Sequence, residues 1–230
     1  DADWRLMNLT TMSDEAQGSF QKDPLFDNAN ATYTYGDELF GTYSDPYKGI
    51  RSCNDFLAQL KTASLDEAEN KRLTAEVRFI RAYHYFTLVK RYGGVPIIAE
   101  SQIYEGPDNL EDLQTPRSTE EETYRFIITE CQEAAKDLPK TNEASAKYRA
   151  NQGTALALCS RAALYAGSIA KYGKVQLNGV VGIPSGKANE FFKIAYDASK
   201  QVIDSGVYTL YNKTPDDKAK NYCDIFLNGN

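Results

Sequence analysis

A chain of 230 residues, 42% of them hydrophobic, has enough apolar material for one large domain, or one and a half ordinary ones, without covalent staples. Its 26 Lys and Arg against 32 Asp and Glu give a formal charge of -6, which argues against a polyanionic partner such as nucleic acid and is indifferent to neutral sugars. The cysteines Cys53, Cys131, Cys159 and Cys223 lie far apart with no CxxC pair, which points to buried free thiols rather than a zinc site or a redox motif.

The opening DADWRLMNLT has no basic n-region, apolar h-region or lipid-accepting cysteine, so it does not read as a precursor N-terminus. Residues 1 to 37 scatter Trp4, Phe20, Phe26, Tyr33 and Tyr35 among Asp, Asn, Gly and Thr, the composition of a long loop. From Gly41 to Thr62 the residues Tyr43, Tyr47, Ile50, Cys53, Phe56, Leu57 and Leu60 recur at helical spacing. Ser64 is the expected N-cap of the next helix, with Glu67 completing a capping box.

That helix, expected over 65–91, is the centre of the chain. Leu73, Val77, Ile80, His84 and Leu88 form one stripe, and Ala75, Phe79, Ala82, Phe86 and Val89 form another on the opposite side, so both sides are expected to be covered. Lys90 and Arg91 suit its C-terminal dipole, Gly93 and Gly94 can cap it, and Pro96 prevents a restart. After a connection broken by Gly106, Pro107 and Pro116, Ser118 is expected to cap a helix over 118–138 that Pro139 closes. Tyr124, Ile127, Ile128, Cys131 and Ala135 form its inner face. A helix over 150–172 is rich in Ala and Gly, which lets backbones approach closely. A Gly-rich insertion leads to a fifth helix over 190–205, capped by Gly206.

The run AEVRFIRAYHYFTLVKRYGGVPII resembles the signature of the SusD/RagB family, carried by Glu76, Arg78, Phe79, Arg81, Ala82, Tyr83, Tyr85, Phe86, Gly93, Val95 and Pro96. Shorter stretches are similar as well: Ser13 to Ala16, then Tyr47, Ile50, Asn54 and Leu57, then YRANQGTALALCSRAALYAG, and the helix ending VIDSGVYTL. The resemblance implies an all-α fold, a tetratricopeptide-like helix-pair array with a long irregular N-terminal segment and loop insertions. It divides the chain into a loop-rich segment 1–40, helices over 41–210 and the start of a further part at 211–230. The resemblance covers nearly all of this chain but only part of the family, so a fragment of a longer protein is expected. It also implies a cell-surface lipoprotein of Bacteroidetes-type bacteria that binds oligosaccharide without cleaving it and hands it to a SusC-like TonB-dependent transporter. Its contact with the outer membrane would run through an N-terminal lipid anchor absent from these residues.

Catalytic, metal and cofactor roles are not called for. His84 is the single histidine and lies on an apolar stripe, whereas a catalytic histidine needs partners in reach. A helical glycoside hydrolase would need two carboxylates facing each other across a cleft, and no motif marks such a pair. Arg72, Arg78, Arg81, Lys90 and Arg91 read as partners of nearby acids or loop carbonyls. Aromatics at helical spacing (Tyr47, Phe56, Phe79, Phe86, Phe192) read as core, while Trp4, Tyr33, Tyr35 and Tyr104 stand in polar loops. Flat rings that stack on pyranose C–H faces, with acids or amides reading the hydroxyls, are the chemistry of sugar binding. The candidate glycan-binding residues are therefore Trp4, Asp14, Glu15, Tyr33, Tyr35 and Asp37. The rival reading is a tetratricopeptide-type scaffold that binds protein and no glycan.

Overall fold

The computed structural model describes residues 43–227. The chain divides into two units, Asp1–Asp45 and Pro46–Asn230, and the architecture below is that of the second, with the first turn of its first helix. Six α-helices follow one another: α1 Ser44–Leu60, α2 Glu67–Tyr92, α3 Glu120–Asp137, α4 Gln152–Tyr172, α5 Ala188–Asp204 and α6 Lys218–Leu227. No strand occurs among the described residues, only an isolated antiparallel bridge between Gln176 and Val181. The expected all-α helix-pair array is what the chain forms. The last helix, α6, lies beyond the five that the apolar spacing predicts.

The helix starts show which local signals win. At α2 the cap is Asp66, whose side chain accepts the Glu69 N–H at 2.9 Å, two residues beyond the expected Ser64. A carboxylate there satisfies an orphan N–H and also meets the positive end of the dipole. At α3 Thr119 replaces the expected Ser118 and forms a full capping box with Glu122, at 3.1 Å and 2.8 Å. Ser118 is committed elsewhere, since its N–H donates to Val95 O at 3.2 Å. The Gly93–Gly94 pair that ends α2 has two separate tasks. Gly93 sits at φ 69, and a side chain there would strike the Val180 carbonyl. Gly94 would collide through a Cβ with the backbone of Ser118 to Glu120, so it is glycine that lets the chain enter α3 directly beneath the end of α2.

Packing runs α2 on α3, α3 on α4 and α4 on α5. The main core takes Ile50 from α1, Tyr85, Phe86 and Leu88 from α2, Tyr124 and Ile127 from α3, Cys159 from α4 and Phe191 from α5. Each large side chain so buried contributes roughly 1.5–3 kcal/mol of transfer free energy. The small residues of α4 do what the sequence suggested. Ala162, Ala163, Ala166 and Ala170 are buried, and a Cβ on Gly167 would lie 2.7 Å from the Phe192 ring of α5.

Three expectations are corrected. The second stripe of α2 is buried apart from the half-buried Phe79, but the first is covered only in part. Leu88 is buried and His84 half-buried against Gly49 of α1, while Ile80 is 45% exposed. Helix α1 meets α2 at Arg81, His84 and Tyr85 and leaves Ile80 uncovered. Phe56, assigned to the core by its spacing, is 42% exposed, because α1 turns Ile50, Cys53 and Asn54 inward instead. Of the four cysteines Cys223, on α6, is exposed.

Candidate functional site

Trp4, Asp14, Glu15, Tyr33, Tyr35 and Asp37 all lie outside the described residues. The loop aromatic Tyr104 does not, and its surroundings can be built up from the end of α2. There the chain leaves in extended form and is fastened back onto α1 and α2 by side chains. Tyr47 Oη donates to Pro96 O at 2.7 Å, and Asn54 Nδ2 donates to Ile98 O and Glu100 O at 3.0 and 3.1 Å. Tyr85 Oη accepts the Ile98 N–H at 2.7 Å, and Arg81 Nη1 donates to Ala99 O at 2.7 Å. The backbone of this segment has no ladder to join, so these side chains satisfy it.

The connection that continues from this mount is braced within itself. Ser101 Oγ donates to Asp55 of α1, Gln102 Nε2 reaches Leu113 O and Thr115 Oγ1, and Asn109 bonds both Glu105 N and Ile103 O. Its outermost side chains, Ile103 and Tyr104, are 68% and 62% exposed. At its base a groove of about 180 Å³ is lined by Tyr47, Arg51, Asn54, Glu100, Ser101 and Gln102. The Tyr47 ring, the Arg51 guanidinium and the Glu100 carboxylate around a small groove form a set that can read hydroxyl groups, while the Asn54 amide and the Gln102 amide N–H are spent on the mount and the loop. Of these residues the sequence motif had singled out Tyr47 and Asn54; Arg51 and Gln102 carry no periodicity or motif that would mark them.

Acids and bases in the interior are committed to structure. Glu130 of α3 accepts two bonds on each oxygen: Arg78 on Oε1 at 3.0 and 2.8 Å, Arg81 on Oε2 at 3.0 and 2.6 Å. Arg81 also donates to Asn54 Oδ1 at 2.7 Å, which joins α1, α2 and α3 through one guanidinium. Glu76 takes Arg72 and Arg149. Glu120 faces no cation among the described residues. Burial pushes its carboxyl above the usual range, and the Gly182 N–H at 2.6 Å partly offsets this. Burial also holds the His84 imidazole below its usual range and pushes the Cys159 thiol up to about 11. Among the described residues no cluster of three or more His, Cys, Asp or Glu is placed to hold a metal, and no helix is long and apolar enough to cross a membrane.

Comparison with known proteins places this architecture. A SusD-like protein from Bacteroides fragilis superposes with a TM-score of 0.63 at 29% identity, covering 82% of this chain and 31% of that one. A SusD superfamily protein from Parabacteroides distasonis gives a TM-score of 0.66 at 26% identity, covering 90% and 40%. A laminarin-binding SusD-like protein gives 0.54 at 26% identity, covering 70% and 29%. The chain thus spans about a third of the length of these structures. No curated protein matches it. A family model for SusD-like proteins, described as starch-binding and associating with the outer membrane, matches residues 1–164, and the chain belongs to that family.

Proposed function

We propose that this chain is part of a cell-surface oligosaccharide-binding protein that holds glycan without cleaving it and passes it to a SusC-like TonB-dependent transporter. The observation that carries this reading is the family match over residues 1–164; a laminarin-binding relative at 26% identity supports it. The charge chemistry agrees, since Glu76 and Glu130 are tied to guanidinium groups and His84 is half-buried against a glycine. Binding would rest on Trp4, Asp14, Glu15, Tyr33, Tyr35 and Asp37, with the aromatic and polar groups of the Tyr104 connection as a second contact. The protein would sit at the outer membrane on a lipid anchor.

Affinity electrophoresis and calorimetry against a panel of starch, laminarin and other neutral polysaccharides test the reading. Saturable binding with no new reducing ends is the expected result. Release of shorter glycans would instead favour a hydrolase, and binding to none of the panel would favour a helix-pair scaffold for protein.

A further inference from the structure

The Gly-rich insertion between α4 and α5 folds back as a small hairpin. Gln176 and Val181 exchange both backbone bonds, at 2.7 and 3.3 Å, and Gly182 sits at φ 86, where a side chain would strike the Lys174 carbonyl. The tip is open to water, with Leu177 71% exposed, while Ile183 just beyond the hairpin is buried in the main core. Two backbone groups tie the hairpin to the junction of α2 and α3. Val180 O accepts the Gly94 N–H at 2.7 Å, and the Gly182 N–H donates to Glu120 Oε2 at 2.6 Å. Gly179 rests on the α3 cap, since a Cβ there would lie 3.1 Å from Thr119 Cγ2. A short exposed hairpin held this way is a unit that can open while the helices stay folded.

Glu120 is a costly fastener, because its carboxyl is buried and no cation on the surrounding elements is paired with it. On its own helix Glu122 is spent on the capping box and Glu121 pairs with Arg125. Tyr124, one turn on, is buried with an Oη that has no hydrogen-bond partner among the described residues, and Tyr165 of α4 lies near it. Before α3, Arg117 donates to the Gly94 and Tyr92 carbonyls. After the hairpin, Lys187 lies 3.9 Å from Glu190, and Lys174 is exposed. Only the Gly182 N–H reaches the carboxylate, whereas two or three such bonds are needed to hold a buried one ionised. The α3 dipole favours the ionised form, but Glu121 and Glu122 share it and add like charge. Burial is the largest influence, and it raises the carboxyl above its usual range.

We propose that the Glu120–Gly182 bond is a pH-sensitive latch: with Glu120 neutral the 174–182 hairpin stays closed on the α2–α3 junction, and with Glu120 ionised it opens more often while the helices stay folded. In the open form water reaches Glu120, which returns to the ordinary value of 4.5. The closed form binds the proton more tightly, so its advantage is complete below pH 4.5 and is lost as pH rises through the closed-state value. The latch does not depend on the glycan-binding reading.

Amide hydrogen exchange of the whole chain tests it, with each rate divided by the intrinsic rate at the same pH. Protection of the Gly94, Val181 and Gly182 amides should fall by roughly threefold or more from pH 5 to pH 8, with the Ile127 and Cys131 amides inside α3 unchanged. Glu120→Gln keeps an acceptor for the Gly182 N–H and cannot ionise, so its hairpin protection should stay level over that range. In the wild type the midpoint of the fall should coincide with the titration of the Glu120 carboxyl carbon followed by NMR, a readout that needs no variant. Protection that does not change with pH overturns the proposal. So does a fall that persists in Glu120→Gln, one with a midpoint away from the Glu120 titration, or one shared equally by the α3 interior.

Discussion

Helix α2 carries cations on two sides, and the structure treats them in opposite ways. Toward α3, Arg81 is 6% exposed and closes a network of Glu130, Arg78, Asn54 and the carbonyl of Ala99. Toward α4 and solvent, Lys90 and Arg91 are answered by a ring face and a carbonyl, and Arg161 of α4 makes no ion pair among the described residues. No Asp or Glu occurs between Val77 and Ala99 or between Ala144 and Asn189. The same residue types thus hold the fold together in one place and leave it open in the other. Desolvation decides between them. A guanidinium removed from water must be matched by an acid and by hydrogen bonds, whereas one at the surface can wait for a partner.

The contrast is sharpest for substitutions that remove one charge. Glu130→Ala leaves Arg81 buried without a counter-ion and Arg78 with only Glu133 at 4.0 Å, and should cost ~3–5 kcal/mol by urea unfolding, whereas Arg161→Ala should change stability by no more than ~0.5 kcal/mol. If the two were similar, the distinction between a structural and an open cation would fail. Asn54→Ala removes the neutral member of the network, two bonds to the Ile98 and Glu100 carbonyls and one from Arg81. A loss of ~1–3 kcal/mol is expected, together with faster amide exchange in residues 98–102. An unchanged exchange rate would show that the loop holds without its side-chain ties.

The smallest effect concerns the buried acid that lacks a cation. Because burial raises the folded-state pKa of Glu120 above the ordinary value of 4.5, the folded chain binds this proton more tightly than the unfolded one. Its contribution is therefore complete below pH 4.5 and is lost as pH rises through the raised folded value. Glu120→Gln keeps an acceptor for the Gly182 N–H and removes that loss, so the variant should gain stability relative to wild type as pH rises from the acid range to neutrality. A wild-type advantage at pH 7 would mean that the carboxylate is stabilised by something other than the Gly182 bond.

Much of the architecture was legible because its causes are local. Apolar spacing located all five expected helices, and Pro139, Gly93 and Gly206 marked ends correctly. The starts shifted where cap-competent residues crowd together. Ser64 and Asp66 compete before α2, and the Ser118–Thr119 pair before α3 is resolved only when Ser118 N is drawn to Val95 O. Ile80 and Phe56 could not be placed by periodicity, since a stripe shows which side of a helix is apolar and not whether a neighbour is long enough to cover it. The inward arginines were read correctly as partners of acids and loop carbonyls. Lys90 and Arg91 were read the same way but meet a ring face and a carbonyl of their own helix, because spacing along α2 does not reveal which sides a neighbouring acid can reach. The six candidate glycan residues rest on loop composition alone, and they lie outside residues 43–227.

The central claim is that this chain binds sugar through aromatic residues of its N-terminal segment. Calorimetric titration of the Tyr33→Ala, Tyr35→Ala double variant with the best glycan of the panel, alongside its thermal unfolding, tests it most directly. The account predicts binding weaker by ~1–3 kcal/mol with an unchanged melting temperature, as for rings that stack on a ligand. Unchanged affinity with a lowered melting temperature would assign both tyrosines to the core and contradict it.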